Sequence, residues 1–229
     1  MTLQFRQPLP AAHHANTAQR SLLSDSSAPV YRTVLKRLMD ISLVLIGALP
    51  VLMVVAVLAV LIRRDGASPF YRQKRVGLGG EVFYMWKLRS MVVDAEAKLD
   101  AYLAANPEAR AEWDRAQKLR NDPRITRIGA IIRKTSLDEL PQLWNVLKGD
   151  MSFVGPRPML ESQQSLYPGS AYYALRPGIT GFWQTSVRNE ASFVERATYD
   201  AAYLRELSLV TDIKVLLRTV KVVAKGTGC

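Results

Sequence analysis

The chain has 229 residues, a formal net charge of +11 and a sequence pI near 9.9. That length suits one domain, or one domain with an anchor, and is enough to bury a sizeable core. The charge asks for an anionic partner (nucleic acid, an anionic membrane surface or phosphorylated substrates), while the single cysteine, Cys229, excludes internal disulfides and fits a reducing compartment.

Residues 1–29 read as a disordered tail, because Pro8, Pro10, Pro29 and the serines from Ser24 to Ser27 interrupt any periodicity. Its His13-His14 pair reads as solvated, not metal-bound. The tail is not a secretory signal, since the first long apolar run starts too late and no small-residue cleavage site follows it. Residues 30–64 form the expected anchor. Ile41 to Ile62 is uncharged and almost wholly apolar, and as a helix it would reach roughly 33 Å, enough for a bilayer core. Pro50, near its middle, removes one hydrogen bond of the helical ladder. Both flanks are basic: Arg32, Lys36 and Arg37 before, Arg63 and Arg64 after. The positive-inside tendency favours one cytoplasmic flank, so a re-entrant hairpin kinked at Pro50 satisfies both flanks better than a straight span or a buried core helix.

From Pro69 to Met91, aromatic and β-branched residues flank Gly77-Leu78-Gly79-Gly80. This spacing predicts a basic β-hairpin, and the glycines read as a turn, not as a phosphate loop. Asp94 to Arg120 reads as two helices broken at Asn106-Pro107, with Asn106 as N-cap and Pro107 in the first helical position. A helix over about Glu139 to Leu147 is expected to pack Leu140, Leu143, Trp144 and Leu147, with Gln142 and Asn145 on other faces. A last helix, from about Asp212 to Lys225, carries an apolar and a basic stripe. Thr211 or Asp212 would cap it, and the pattern suits a membrane interface.

The chemistry concentrates in two stretches. Thr135-Ser136-Leu137-Asp138-Glu139-Leu140-Pro141-Gln142 leads into Lys148-Gly149-Asp150-Met151-Ser152-Phe153-Val154-Gly155-Pro156-Arg157-Pro158. A carboxylate pair can attack or hold a metal, and a guanidinium fixed between prolines can hold a phosphate bidentately. As local structure, Ser136-x-x-Glu139 is also a capping box, with both acids in a first helical turn. The readings are compatible, because a helix N-terminus lowers a carboxylate's pKa and keeps it ionised. Further on, Arg176-Pro177-Gly178-Ile179-Thr180-Gly181-Phe182-Trp183-Gln184 and Arg188 place more arginines on Gly- and Pro-rich loops, as candidates for anion contacts.

These residues resemble the bacterial sugar transferases, the monotopic phosphoglycosyl transferases that start exopolysaccharide, O-antigen or glycoprotein glycans. The likeness rests on Lys36-Arg37 to Arg64 with Pro50, Phe70 to Met91, Arg133 to Pro158 and Arg176 to Gln184, and it covers about residues 31–225. Larger members carry extra amino-terminal transmembrane helices and a further domain, so this chain looks like the minimal catalytic form. The resemblance implies Asp138 as a nucleophile on the β-phosphate of a UDP-sugar, releasing UMP and leaving a sugar-phosphate on the carboxylate. The phosphate of a membrane polyprenol (undecaprenol) would then displace it. The resemblance also places Mg²⁺ at Asp138, gives Glu139 a supporting catalytic role and gives Arg157 the transferred phosphate. Lys87, Arg89, Arg176, Arg188 and Gln142 become further substrate contacts.

The expected fold is α+β: a mostly helical domain over residues 65–229 with a small β-hairpin. A re-entrant helix and interfacial amphipathic helices would anchor it on the cytoplasmic face of the bacterial inner membrane. The competing function is a non-enzymatic, membrane-anchored basic binding protein. A nucleic-acid partner is not expected, since no helix-turn-helix, RNP or zinc pattern appears. A transferase that moves sugar without phosphate would release UDP instead of UMP.

Overall fold

A computed structural model describes residues 30–116, 119–186 and 193–224. The tail over residues 1–29, Arg188 and Cys229 lie outside them. The described chain is mostly helical with two two-stranded sheets. It divides into two compact units. The first holds the chain up to Ser42 with Lys74–Phe83 and Val146–Thr219; the second holds Leu43–Gln73, Tyr84–Asn145 and the residues from Val220 on.

A π-helical turn at Tyr31–Leu35 leads into α1, Lys36–Ile62, which begins in the first unit and ends in the second. Helix continues on both sides of Pro50, whose missing N–H leaves the Ile46 carbonyl without its ladder partner. The segment Tyr31–Asp65 is long and apolar enough to cross a membrane, and only 6% of its most apolar window is buried. That figure removes the buried-core reading, because Leu45, Ile46, Leu49, Leu52, Val57 and Val60 all face outward.

Strands β1, Phe70–Val76, and β2, Val82–Leu88, form the expected hairpin around the glycine turn. Helices α2, Ala95–Ala105, and α3, Pro107–Ala116, are separated at Asn106. The Asn106 carbonyl accepts the first bond of α3 from Arg110, as expected of a cap. Its side chain turns the other way and donates to Tyr102 O at 2.9 Å, closing α2. Leu99, Leu103 and Leu119 bury a small core there with Tyr102 and Trp113.

Helix α4, Arg127–Lys134, is capped by Thr126, whose Oγ1 accepts from Gly129 N at 2.9 Å. A 3₁₀ turn, Leu137–Glu139, follows, and α5, Gln142–Lys148, begins only after Pro141. The face that α5 buries is not the expected one: Trp144 is 55% exposed, whereas Gln142, Asn145 and Val146 are buried. The polar Asn145 is drawn inward by the backbone of Trp86 and Tyr84 on β2, which turns the neighbouring Trp144 outward.

In the first unit β3, Ser152–Val154, pairs in parallel with β4, Gly178–Thr180, with Ser152 opposite Gly178 and Val154 opposite Thr180. Around them pack Tyr31, Leu175, Tyr203, Leu204, Leu207 and Val215. Short α6, Phe182–Thr185, then α7, Arg196–Arg205, and α8, Leu209–Ala224, complete the described chain. Helix α8 starts earlier than its periodicity suggests, and Ser208 caps it by accepting from Thr211 N at 3.2 Å.

Asp212 is therefore not a cap. It is fully buried and accepts from Tyr31 Oη, Lys36 Nζ and Tyr203 Oη, each at 2.6 Å. Asp40 is also buried and accepts from Ser152 Oγ and Phe153 N, each at 3.0 Å. Arg37 donates to the carbonyls of Val146 and Leu147 at the end of α5, where a cation suits the helix terminus. The stripe of α8 is split. Val215 and Leu216 pack inward, while Ile213, Leu217 and Val220 are exposed beside Lys214, Arg218 and Lys221.

Candidate active site

The acidic pair sits on a constrained turn. Ser136 has φ +58°, a left-handed conformation that costs a non-glycine residue energy and is kept where its surroundings dictate it. Its side chain makes no capping bond, so the capping box does not form. Glu139 reaches instead to Lys87 on β2, with Nζ to Oε1 at 2.7 Å. The same ammonium lies 3.6 Å from Asp138 Oδ2. Leu137 packs into a cluster with Ile62, Leu88 and Ile132, which fixes the turn from below.

Lys87 is itself held by its strand neighbours. Asn145 accepts from Trp86 N at 3.0 Å and donates to Tyr84 O at 2.7 Å, so it sutures α5 to β2. Nothing in the local pattern pointed to Asn145, since an asparagine on a short helix reads as surface. Gln142, buried near the start of α5, belongs to the same turn region.

The electrostatics run opposite to the helix-dipole expectation. Burial pushes the Asp138 carboxyl above the ordinary range; Lys87 and Arg133 pull it down, and Glu139 pushes it further up. A three-residue 3₁₀ turn offers little dipole, so desolvation dominates. Asp138 is 8% exposed as a residue, and the Lys87 ammonium lies 3.6 Å from its Oδ2. It retains acceptor capacity for an incoming group. Among the described residues no set of three or more His, Cys, Asp or Glu could hold a metal. Two adjacent carboxylates nevertheless match the way Mg²⁺ is usually held, through one or two carboxylates with the remaining positions filled by water and substrate phosphates.

The arginine loops lie in the first unit. Gly155 and Gly178 bring them together backbone to backbone: a Cβ on Gly155 would sit 2.2 Å from Arg176 O, and one on Gly178 2.1 Å from Gly155 N. Arg157 is exposed between Pro156, which accepts from Gly178 N at 2.8 Å, and Pro158, which accepts from Arg75 Nη1 at 3.1 Å. Its guanidinium lies 5.7 Å from the Trp183 ring, and Arg196 lies 4.2 Å from the same ring. Nearby, Tyr167 Oη donates to Asp200 at 2.8 Å; burial raises the Asp200 carboxyl to about 7, against the pull of Tyr167 and Arg196. These side chains, with Tyr172 and Phe193, line a small pocket. Arg196 and Asp200 carry no recognisable sequence signal, beyond sharing one helix face at i and i+4.

The remaining candidates separate. Arg176 donates to Gly149 O at 2.9 Å, within the loop region of the first unit. Arg89 is paired with Asp65 in the second unit. Lys87, Asp138 and Glu139 are brought together; Arg157 and Arg176 belong to the other unit.

The chain belongs to the bacterial sugar transferase family, whose model matches residues 31–226 and so takes in both the acidic turn and the arginine loops. It is 48% identical over 200 residues to the UDP-galactose-lipid carrier transferase of Erwinia amylovora, covering 85% of this chain and 41% of that protein. It is 48% identical over 169 residues to the undecaprenyl-phosphate galactose phosphotransferase of Salmonella typhimurium, covering 73% of this chain and 36% of that one. With the exopolysaccharide production protein ExoY of Rhizobium meliloti it shares 43% identity over 166 residues, or 72% of this chain and 74% of that one. The chain thus spans less than half the length of the first two relatives.

Proposed function

We propose that this chain transfers a sugar-1-phosphate from a UDP-sugar to the phosphate of a membrane polyprenol, releasing UMP, as an initiating step of exopolysaccharide or related glycan synthesis. The names of the relatives from Erwinia, Salmonella and Rhizobium support the reaction class. The observation that carries it is the buried Asp138 beside Lys87, whose ammonium also pairs with Glu139.

In this reading an oxygen of Asp138 attacks the β-phosphorus. The bond from that phosphorus to the bridging oxygen breaks, and UMP leaves with the oxygen. An oxygen of the polyprenyl phosphate then attacks the same phosphorus, the aspartyl bond breaks, and the carboxylate is restored with a polyprenyl diphospho-sugar as product. Lys87 offsets the negative charge that gathers at the carboxylate and the phosphate. Glu139 holds Lys87 in place. Arg157, exposed in the first unit, carries the bidentate fork that suits a phosphate. Asp138, helped by Glu139, would hold Mg²⁺ against the diphosphate, where it supplies charge neutralisation. The exposed apolar length of α1 and the outward stripe of α8 would keep the site at the depth of the lipid phosphate, on the cytoplasmic face of the inner membrane.

The test is trapping. The full chain in detergent is mixed with Mg²⁺ and UDP-galactose, UDP-glucose or UDP-N-acetylgalactosamine labelled at the β-phosphate, without lipid phosphate. Label retained on the wild type and absent from Asp138→Asn is the expected result. Turnover on adding lipid phosphate, without prior label on either protein, would replace the covalent route with direct transfer. Release of UDP in place of UMP would remove the phosphate from the transferred group.

A further inference from the structure

We propose that Arg89 and Asp65 form a clamp that ties the carboxy-terminal end of α1 to the strand carrying Lys87, making Arg89 a positioning residue for the acidic turn and not a phosphate contact. This rests on the reading of Asp138, Glu139 and Lys87 as the reacting cluster.

Arg89 has five N–H donors, and all five are used. Nη1 and Nη2 grip the two oxygens of Asp65 at 2.7 and 2.6 Å. Nε donates to Ser68 O at 2.8 Å, Nη1 also to Met91 O at 3.1 Å, and Nη2 also to Ile62 O at 3.3 Å. A guanidinium so engaged has no donor left for a phosphate. Its acceptors are informative. Ile62 ends α1 and leads into a 3₁₀ turn at Arg63–Asp65, and Ser68 lies on the link to β1. Arg89 N also donates to Pro69 O at 2.8 Å, beyond the last residue of β2. Leu88, between Lys87 and Arg89, is buried against Ile62, Ile132 and Leu137, and Leu137 precedes Asp138. The helix end, the lysine strand and the acidic turn therefore share one apolar cluster with a polar latch on its rim.

The test uses the full chain in detergent, with Asp65→Ala, Arg89→Lys and each combined with Lys87→Met. Asp65 lies on the rim with its side chain 43% exposed, so its truncation leaves no buried cavity. One readout needs no activity: acetylation of Lys87 by acetic anhydride, followed by mass spectrometry against exposed Lys98. Lys87 is expected to label slowly in the wild type and several-fold faster in both single variants. In UMP release from UDP-galactose, each single variant is expected to lose about tenfold in kcat with KM little changed, as misplacement of a catalytic group does. Neither is expected to lose more in the Lys87→Met background. Unchanged Lys87 labelling overturns the clamp, whatever the activity. A raised KM with kcat retained also overturns it and makes Arg89 a substrate contact. A wild type that releases no UMP with any UDP-sugar sinks the transferase reading alone, and the labelling still decides the clamp.

Discussion

Two of the lysine–carboxylate pairings among the described residues differ in kind. Lys36 and Asp212 are sealed: their side chains are 9% and 0% exposed, and Asp212 takes three short bonds. Lys87, Asp138 and Glu139 are 22%, 12% and 25% exposed, and the Lys87 ammonium lies 3.6 Å from Asp138. A saturated carboxylate in the interior is a fastener. An undersaturated one at the edge of burial keeps lone pairs for chemistry. On the proposed reading of Asp138, what separates a fastening carboxylate from a reacting one is how closely its donors approach it.

Substitutions should pull the two sites apart. The largest expected effect is on rate: Asp138→Asn lowers UMP release roughly a thousandfold or more, as loss of a nucleophile does, while the melting temperature holds or rises. Lys36→Met gives the reverse pattern. Stranding the buried Asp212 costs about 3–5 kcal/mol, read as a lower urea midpoint, and the fraction still folded keeps its turnover. Lys87→Met sits between them, with a loss of about a hundredfold in kcat and little change in urea midpoint.

A fourth expectation concerns Asp200, whose carboxyl is raised to about 7 by burial. The folded chain holds that proton up to about pH 7, and the unfolded chain releases it near the ordinary value of 3.8. Between those values the folded state binds more protons, so stability falls as pH rises and the loss is complete above about pH 7. The full shift corresponds to roughly 4 kcal/mol. Asp200→Asn should flatten that part of the urea stability profile measured from pH 4 to 8. A profile as steep as the wild type's would move the titration to another group.

Much of this was legible along the chain because it is local. The glycine turn with alternating aromatic residues specified β1 and β2, and Asn106-Pro107 separated α2 from α3. The adjacency of Asp138 and Glu139, and the prolines around Arg157, were visible without coordinates. What escaped is what depends on distant partners. Asp212 reads as a cap until Tyr31 and Lys36 arrive from 181 and 176 positions away. Asn145 reads as surface until β2 supplies its backbone groups. The pKa of Asp138 was expected to fall at a helix start, and rises because the turn is short and the site is buried. Trp144 was counted inward because the apolar spacing of Leu140, Leu143, Trp144 and Leu147 marks a buried face, whereas the face held by β2 is the one with Asn145.

The weld between Gly155 and Gly178 has a consequence for motion. Arg157 and Arg176 stand on segments whose backbones already touch, with no room for one extra methyl group. Neither loop can swing like a gate while the other stays behind. The two arginines are therefore presented on one joined backbone, and a shift of either segment must carry the other with it.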